Sequence, residues 1–170
     1  AASDPSQLGH LFSVNMERTI RELNGESCMP LEEAPPPKKQ IYCTRSFGQR
    51  INTLLELQQA ACLYAARAAE KLRAQDSLAI TLHVFINTSH HGSDTFFNSS
   101  TVKLNYPTND TRMIEALVKK TVAKLYRDGY SYAKAGVGIV ELQDRSHKQK
   151  DFFTPGQTLK SEALMMCMDN

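Results

Sequence analysis

Apolar residues recur along this chain with two periods, and the switches between them mark the elements. Ile41 and Cys43 alternate with Tyr42, Thr44 and Ser46, predicting a strand over about Gln40–Phe47 with one apolar and one hydroxylated face. Thr53 then offers an N-cap, with Glu56 three residues on as its capping-box partner. The helix that follows places Leu54, Leu57, Ala61, Tyr64, Ala65, Ala68 and Leu72 on one stripe, its alanines allowing close approach to a sheet. Ala79–Thr88 is a second strand, with Ile80, Leu82, Val84 and Ile86 against Thr81, His83 and Asn87. Ser100–Tyr106 is a third, with Val102 and Leu104 on one side and Lys103 on the other.

Thr108-Asn109-Asp110 starts a second helix, which carries Ile114, Leu117, Val118, Thr121 and Leu125 inward and ends near Asp128-Gly129. A fourth strand, Ser131–Leu142, is expected to turn Ala133, Ala135, Val137 and Ile139 inward and Tyr132 and Lys134 outward. On its outward face Gly136 and Gly138 are expected to leave bare backbone open to another chain. The order is β-α-β-β-α-β. It predicts an α+β domain: a four-stranded sheet with two helices on one face and the other face open, displaying Thr44, Ser46, Lys103, Tyr132 and Lys134.

The ends read differently. Leu11–Leu23 has helical spacing, with Val14, Thr19/Ile20 and Leu23 on one side and Gly25 as the stop, but one short helix has no core of its own. Residues 26–37 are a proline-rich linker with an extended, stiff path. The predicted organisation is a helical remnant over 1–25, the linker over 26–37, the sheet domain over 38–142 and a tail over 143–170. The tail holds a polar, basic stretch, then Phe152-Phe153, then a short Met- and Leu-rich helix over Thr158–Met168. By residue type alone, the two aromatics either tuck onto their own domain or fill a partner's pocket.

Net charge is only +2, and dividing it is more informative. Residues 1–37 carry 2 basic and 6 acidic side chains, residues 38–142 carry 14 and 8, and residues 143–170 carry 4 and 4. The cationic surplus therefore sits in the sheet domain, where it suits either a polyanionic partner or a merely solvated surface. Within it, Lys38–Arg50 (KKQIYCTRSFGQR) has four basic side chains and no acidic one. Short hydroxyls, backbone N–H groups and cations along a strand fit a phosphate backbone better than a small substrate.

Other chemistry is sparse. Cys28, Cys43, Cys62 and Cys167 form no CxxC, and Cys43 and Cys62 fall on apolar stripes as reduced core residues. His90-His91 has no ligand at metal spacing and reads as loop. The chain has no P-loop, GxSxG, HExxH or strand-end carboxylate cluster, so its residues describe a binding module with no metal and no catalytic site. No apolar run approaches the roughly 18 residues of a membrane helix, and the N-terminus lacks signal-peptide layout; a cytoplasmic, non-membrane setting is expected.

Several motifs occur in collinear order: ERTIRELNGESCMPLEE, the proline linker, IYCTRSFGQRI, YAARAAEKLR, PTNDT, GYSYAKAGV and a Gln-x-Asp-Phe-Phe tail. Together, from about Leu11 onward, they resemble the C-terminal half of the UmuC family, the catalytic subunits of error-prone Y-family DNA polymerase V. The resemblance implies the end of a thumb over Leu11–Gly25 and a little finger over Lys38–Leu142 that holds primer-template DNA by its phosphates during SOS translesion synthesis. It implies Thr44, Arg45, Ser46 and Lys134 as the leading DNA contacts, with Lys38, Lys39, Arg50 and Lys103 behind them.

The tail resembles the family's sliding-clamp-binding pentapeptide. Gln149, Asp151, Phe152 and Phe153 match, while Lys150 departs at the second position. UmuD′ and RecA are further partners that the family implies. The palm and fingers, whose carboxylates hold Mg²⁺ in the family, lie upstream of the region this chain resembles. The chain is thus expected to be a fragment that binds no cofactor and catalyses nothing itself. The rival reading is a protein-interaction fragment whose basic face is only solvated and whose tail carries the function.

Overall fold

A computed structural model describes residues 4–29, 36–89, 95–147 and 156–169. The chain divides into two compact units, residues 1–36 and residues 37–170. In the first, the helix predicted over Leu11–Leu23 is α2 (Val14–Leu23), and a short helix not foreseen, α1 (Pro5–Leu11), precedes it. The break has a local cause: Ser13 takes up an extended conformation and caps α2, its hydroxyl accepting from the Met16 N–H at 3.4 Å. Of the expected stripe only Ile20 is buried, while Val14 and Leu23 are exposed.

The second unit holds β1 (Ile41–Ile51), α3 (Leu54–Ala74), β2 (Ser77–Asn87), β3 (Phe97–Thr108), α4 (Thr111–Leu125), β4 (Tyr132–Asp144) and α5 (Leu159–Asp169). Its sheet has four strands in the order β1-β4-β2-β3, every neighbouring pair antiparallel. The predicted β-α-β-β-α-β order stands. Both edge strands suit their place: β1 carries cations, and β3 holds, next to its last residue, Pro107, which has no N–H to give an inner ladder.

Helices α3 and α4 cover one face. Thr53 caps α3 as the capping-box spacing predicts, accepting from the Glu56 N–H at 3.3 Å and donating to its carboxylate at 2.7 Å. Leu57, Ala61, Ala65, Ala68 and Leu72 of α3 are buried against Ile41, Cys43, Ala135, Val137 and Ile139 of the sheet and Ile114, Val118 and Val122 of α4. Each fully buried leucine, isoleucine or valine here is worth about 1.5–3 kcal/mol of transfer free energy. The alanines let the helix backbone approach the strands.

Two positions depart from simple alternation. Ile80 is only half-buried while Ala79 is fully buried, because the register slips between Ala79 and Thr81 against both β3 and β4. The extra residue moves Ile80 off the apolar stripe. Tyr132, expected outward, is fully buried. Its hydroxyl accepts from the Arg127 N–H at 2.8 Å and donates to the Arg127 carbonyl at 2.9 Å, and its ring packs against Tyr126 and Phe96. An irregular stretch of β1 between Ser46 and Ile51 lies opposite, so the strand enters the sheet through an aromatic plug.

The C-terminal helix α5 returns onto this unit. Arg73 of α3 holds Asp169 through Nε and Nη2 and also donates to the Asn109 carbonyl and the Thr111 hydroxyl. Ser161 and Met165 are buried against the start of α4. Arg145, just beyond β4, donates to Glu162 at 3.1 Å and to Asp76 at 3.5 Å. Asp76 has a left-handed φ of 52°, tolerable for an aspartate, and its carbonyl accepts from the Arg145 N–H. No described helix is long and apolar enough to cross a membrane.

Candidate nucleic-acid interface

The sheet face away from the helices is built from cross-strand rungs that register dictates. Tyr42 lies beside Gly138, which lies beside His83 and then Thr101. The next rung is Thr44, Gly136, Phe85 and Ser99; the third is Ser46, Lys134, Asn87 and Phe97. Strand alternation puts these side chains on one face because their neighbours Ile41, Cys43, Val137, Leu82, Val84 and Ile86 are in the core. None of the three rungs carries a carboxylate.

The predicted contacts fall into groups. Thr44, Ser46 and Lys134 come together on the open face: Ser46 is paired with Lys134, and Thr44 is one rung away. Lys134 also stands over the Phe85 ring, its Nζ 6.0 Å from the centroid. Lys103 is exposed at the opposite edge of the sheet, paired with Thr81. Lys38 and Lys39 are exposed just before β1, and Arg50 is exposed at its far end.

Arg45 lies elsewhere. It shares the parity of Ile41 and Cys43, so it points to the helix side of the edge strand. There its charge, with that of Arg67, opposes the burial that pushes the Tyr64 hydroxyl up from its ordinary pKa. The four leading residues are therefore split, three on the open face and one around the edge. Gln149, Asp151, Phe152 and Phe153 lie outside the described residues, as do His90 and His91.

Sequence reading missed the aromatic content of this face. Tyr42 and His83 have ring centroids 6.1 Å apart, His83 and Phe85 5.9 Å, and Phe85 and Phe97 6.3 Å. Gly136 and Gly138 do not present bare backbone to solvent as expected. Phe85 and the Thr44 methyl fill the space over Gly136, and Tyr42 fills the space over Gly138. The available signal was the two-residue spacing of His83 and Phe85 on the polar side of β2; the register that brings Tyr42 and Phe97 beside them is tertiary.

Among the described residues, no three His, Cys, Asp or Glu side chains group in a way that holds a metal ion. A carboxylate with a strongly shifted pKa sits away from the open face, at the α4 N-cap. Burial pushes Asp110 up, but hydrogen bonds from Arg112 and Ser161 and the Arg112 charge outweigh it and hold the carboxyl at about 2. Its role is to join α4 to α5.

A model of the impB/mucB/samB family C-terminal domain matches residues 38–152. Over 172 residues the chain is 42% identical to protein SamB of Salmonella typhimurium, covering 99% of this chain and 41% of SamB. Over 157 residues it is 40% identical to protein UmuC of Salmonella typhimurium strain LT2, covering 91% of this chain and 37% of UmuC. The chain thus spans about two fifths of the length of these curated relatives. A solved insertion ternary complex of Dbh DNA polymerase superposes with a TM-score of 0.50 at 8% identity, over 84% of this chain and 40% of that one, a likeness of fold alone.

Proposed function

This chain belongs to the impB/mucB/samB family, and from that premise we propose that residues 38–142 are the little finger of an error-prone translesion DNA polymerase. Its task is to hold primer-template DNA by the backbone without reading sequence. The observation that carries this reading is the set of three carboxylate-free rungs where Thr44, Ser46 and Lys134 converge beside a cationic edge strand. Hydroxyls and an ammonium on a flat sheet reach phosphate oxygens that have the same chemistry at every base pair, so the grip is strong without being specific.

Chemistry belongs, in this reading, to the part of the relatives that this chain does not span. Mg²⁺-dependent nucleotide incorporation is therefore assigned to the full-length protein. A sliding clamp is the proposed partner of Gln149, Asp151, Phe152 and Phe153; the motif itself supports this, and UmuD′ and RecA follow from the family resemblance. The setting proposed is the bacterial cytoplasm, on damaged DNA during the SOS response.

The test is a fluorescence-anisotropy titration of the whole chain with labelled primer-template DNAs of unrelated sequence over a series of salt concentrations. Affinity should be alike across sequences and fall steeply with salt, and Lys134→Ala should reduce the logarithmic salt slope by about one. Binding that is absent, or that ignores salt, would sink the proposal. The competing protein-interaction reading predicts that Phe152→Ala/Phe153→Ala abolishes every measurable activity; the DNA reading predicts that DNA affinity survives it.

A further inference from the structure

The open face has more than phosphate chemistry. Its centre is a row of rings, His83, Phe85 and Phe97, with neighbouring planes tilted by 31° and 30°. Tyr42 meets the end of the row edge-on, at 72° to His83. The rings of Tyr42 and Phe85 occupy the space over Gly138 and Gly136 that a side chain would otherwise fill. Tyr42 and Phe85, seated on bare backbone, are held low on the sheet, Tyr42 44% exposed and Phe85 half-buried, while Phe97 at the end of the row is 62% exposed. Lys134 stands beside the row, within reach of an anion bound along it.

A structural need for these rings is met by covering two glycines, but Phe97 covers neither. We infer that this row is a stacking strip for single-stranded DNA, with unpaired bases lying on Phe85 and Phe97 and an adjoining phosphate on Lys134. The inference rests on the DNA-binding reading and adds a preference for unpaired strand to it. Two observations select this occupant. The rungs bearing the rings have a cation and no carboxylate, which complements a polyanion. The 5.9 and 6.3 Å between ring centroids exceed the roughly 3.4 Å repeat of stacked bases, so the strip suits a strand whose bases are separated. In a duplex, neighbouring pairs already cover the base faces. An aromatic side chain stacks readily only on a base that has left the stack.

The experiment compares labelled oligothymidine with a labelled blunt hairpin duplex on the whole chain, at one salt concentration. The variants are Phe97→Ala, which removes a mostly exposed ring, and Phe85→Leu, which keeps an apolar cover over Gly136 but removes the ring face. Circular dichroism melting verifies that each variant is folded. Each should weaken oligothymidine binding by about fivefold or more and duplex binding by much less. Lys134→Ala should weaken both ligands. Ring variants that change neither affinity, or that change both alike, would overturn the stacking strip and leave the phosphate grip intact. A wild-type chain that binds the duplex but not oligothymidine has the same consequence. Failure to bind either ligand would remove the DNA-binding reading, and the strip with it.

Discussion

The ring of Phe85 occupies the space above Gly136 that a side chain at that position would need. Neither residue can be understood alone. The glycine is there because the ring is, and the ring is held beside His83, Phe97 and Lys134 because the glycine admits it.

Gly136→Ala should therefore destabilise the domain by about 2 kcal/mol through overpacking. Gly138→Ala should cost less, about 1 kcal/mol, since the Tyr42 ring above it is 44% exposed and can swing aside. Urea denaturation of each variant measures the difference. Phe85→Ala combined with Gly136→Ala should cost less than the two single changes added together, the sign of direct coupling.

Acid should weaken the junction of α4 with α5. Asp110 is held at about 2 against an ordinary 3.8, and the Arg73 hydrogen bond also lowers Asp169. A carboxyl depressed in the folded state adds stability that is fully present above its unfolded pKa. That stability disappears as pH falls from about 4 through about 2. For Asp110 the loss is about 2 kcal/mol. Urea midpoints at pH 5 and pH 2.5 should differ accordingly, and Asp110→Asn should lower the former and flatten the difference.

Arg73 ties α5 to the body of the domain. Its side chain is 10% exposed and also serves the Asn109 carbonyl and the Thr111 hydroxyl. Arg73→Ala should cost about 2–3 kcal/mol, because it leaves buried acceptors without a charged donor. Asp169→Asn should cost about 1 kcal/mol or less, as its carboxylate lies nearer solvent. Hydrogen exchange should accelerate over residues 159–169 in both variants, and more in the first.

Lys134→Ala should weaken DNA binding more than Arg45→Ala. Lys134 rises from the open face beside Ser46, whereas Arg45 turns toward Tyr64 on the helix side. Equal losses in anisotropy titrations would mean that DNA wraps the edge of β1 and does not lie on the sheet.

The fold was legible where one periodicity ran uninterrupted. The α3 stripe from Leu57 to Leu72 lies in the core, and Thr53 with Glu56 marks the helix start as read. Reading failed where strands are irregular. One extra residue near Ile80 shifts that side chain off the stripe, and Tyr132 turns inward because the Arg127 backbone offers its hydroxyl two hydrogen bonds. Such choices are made by partners distant in sequence.

The candidate site was legible as chemistry and less so as geometry. The hydroxyls and Lys134 share a face by simple alternation, whereas Arg45 was grouped with them by the family resemblance and its parity puts it on the other side of the strand. The aromatic row draws one ring each from β1 and β3 and two from β2, so only a known register can assemble it. Nor does the tail's weak periodicity show that α5 docks; polar anchors such as Arg73 and Arg145 decide that.

The strand order β1-β4-β2-β3 also sets a timetable for synthesis. The last of the described strands to be made, Tyr132–Asp144, is the one that must enter between the first two, giving β1 its only neighbour among the described strands. Until it leaves the ribosome, β2 and β3 can pair as a hairpin, while β1 waits with its ladder unmade and Ile41 and Cys43 uncovered by β4. A nascent chain halted before residue 132 thus holds an unsatisfied edge, the kind of intermediate that pairs with the wrong partner. The domain closes by inserting a central strand, and nearly all of it must be synthesised before any of the sheet is complete.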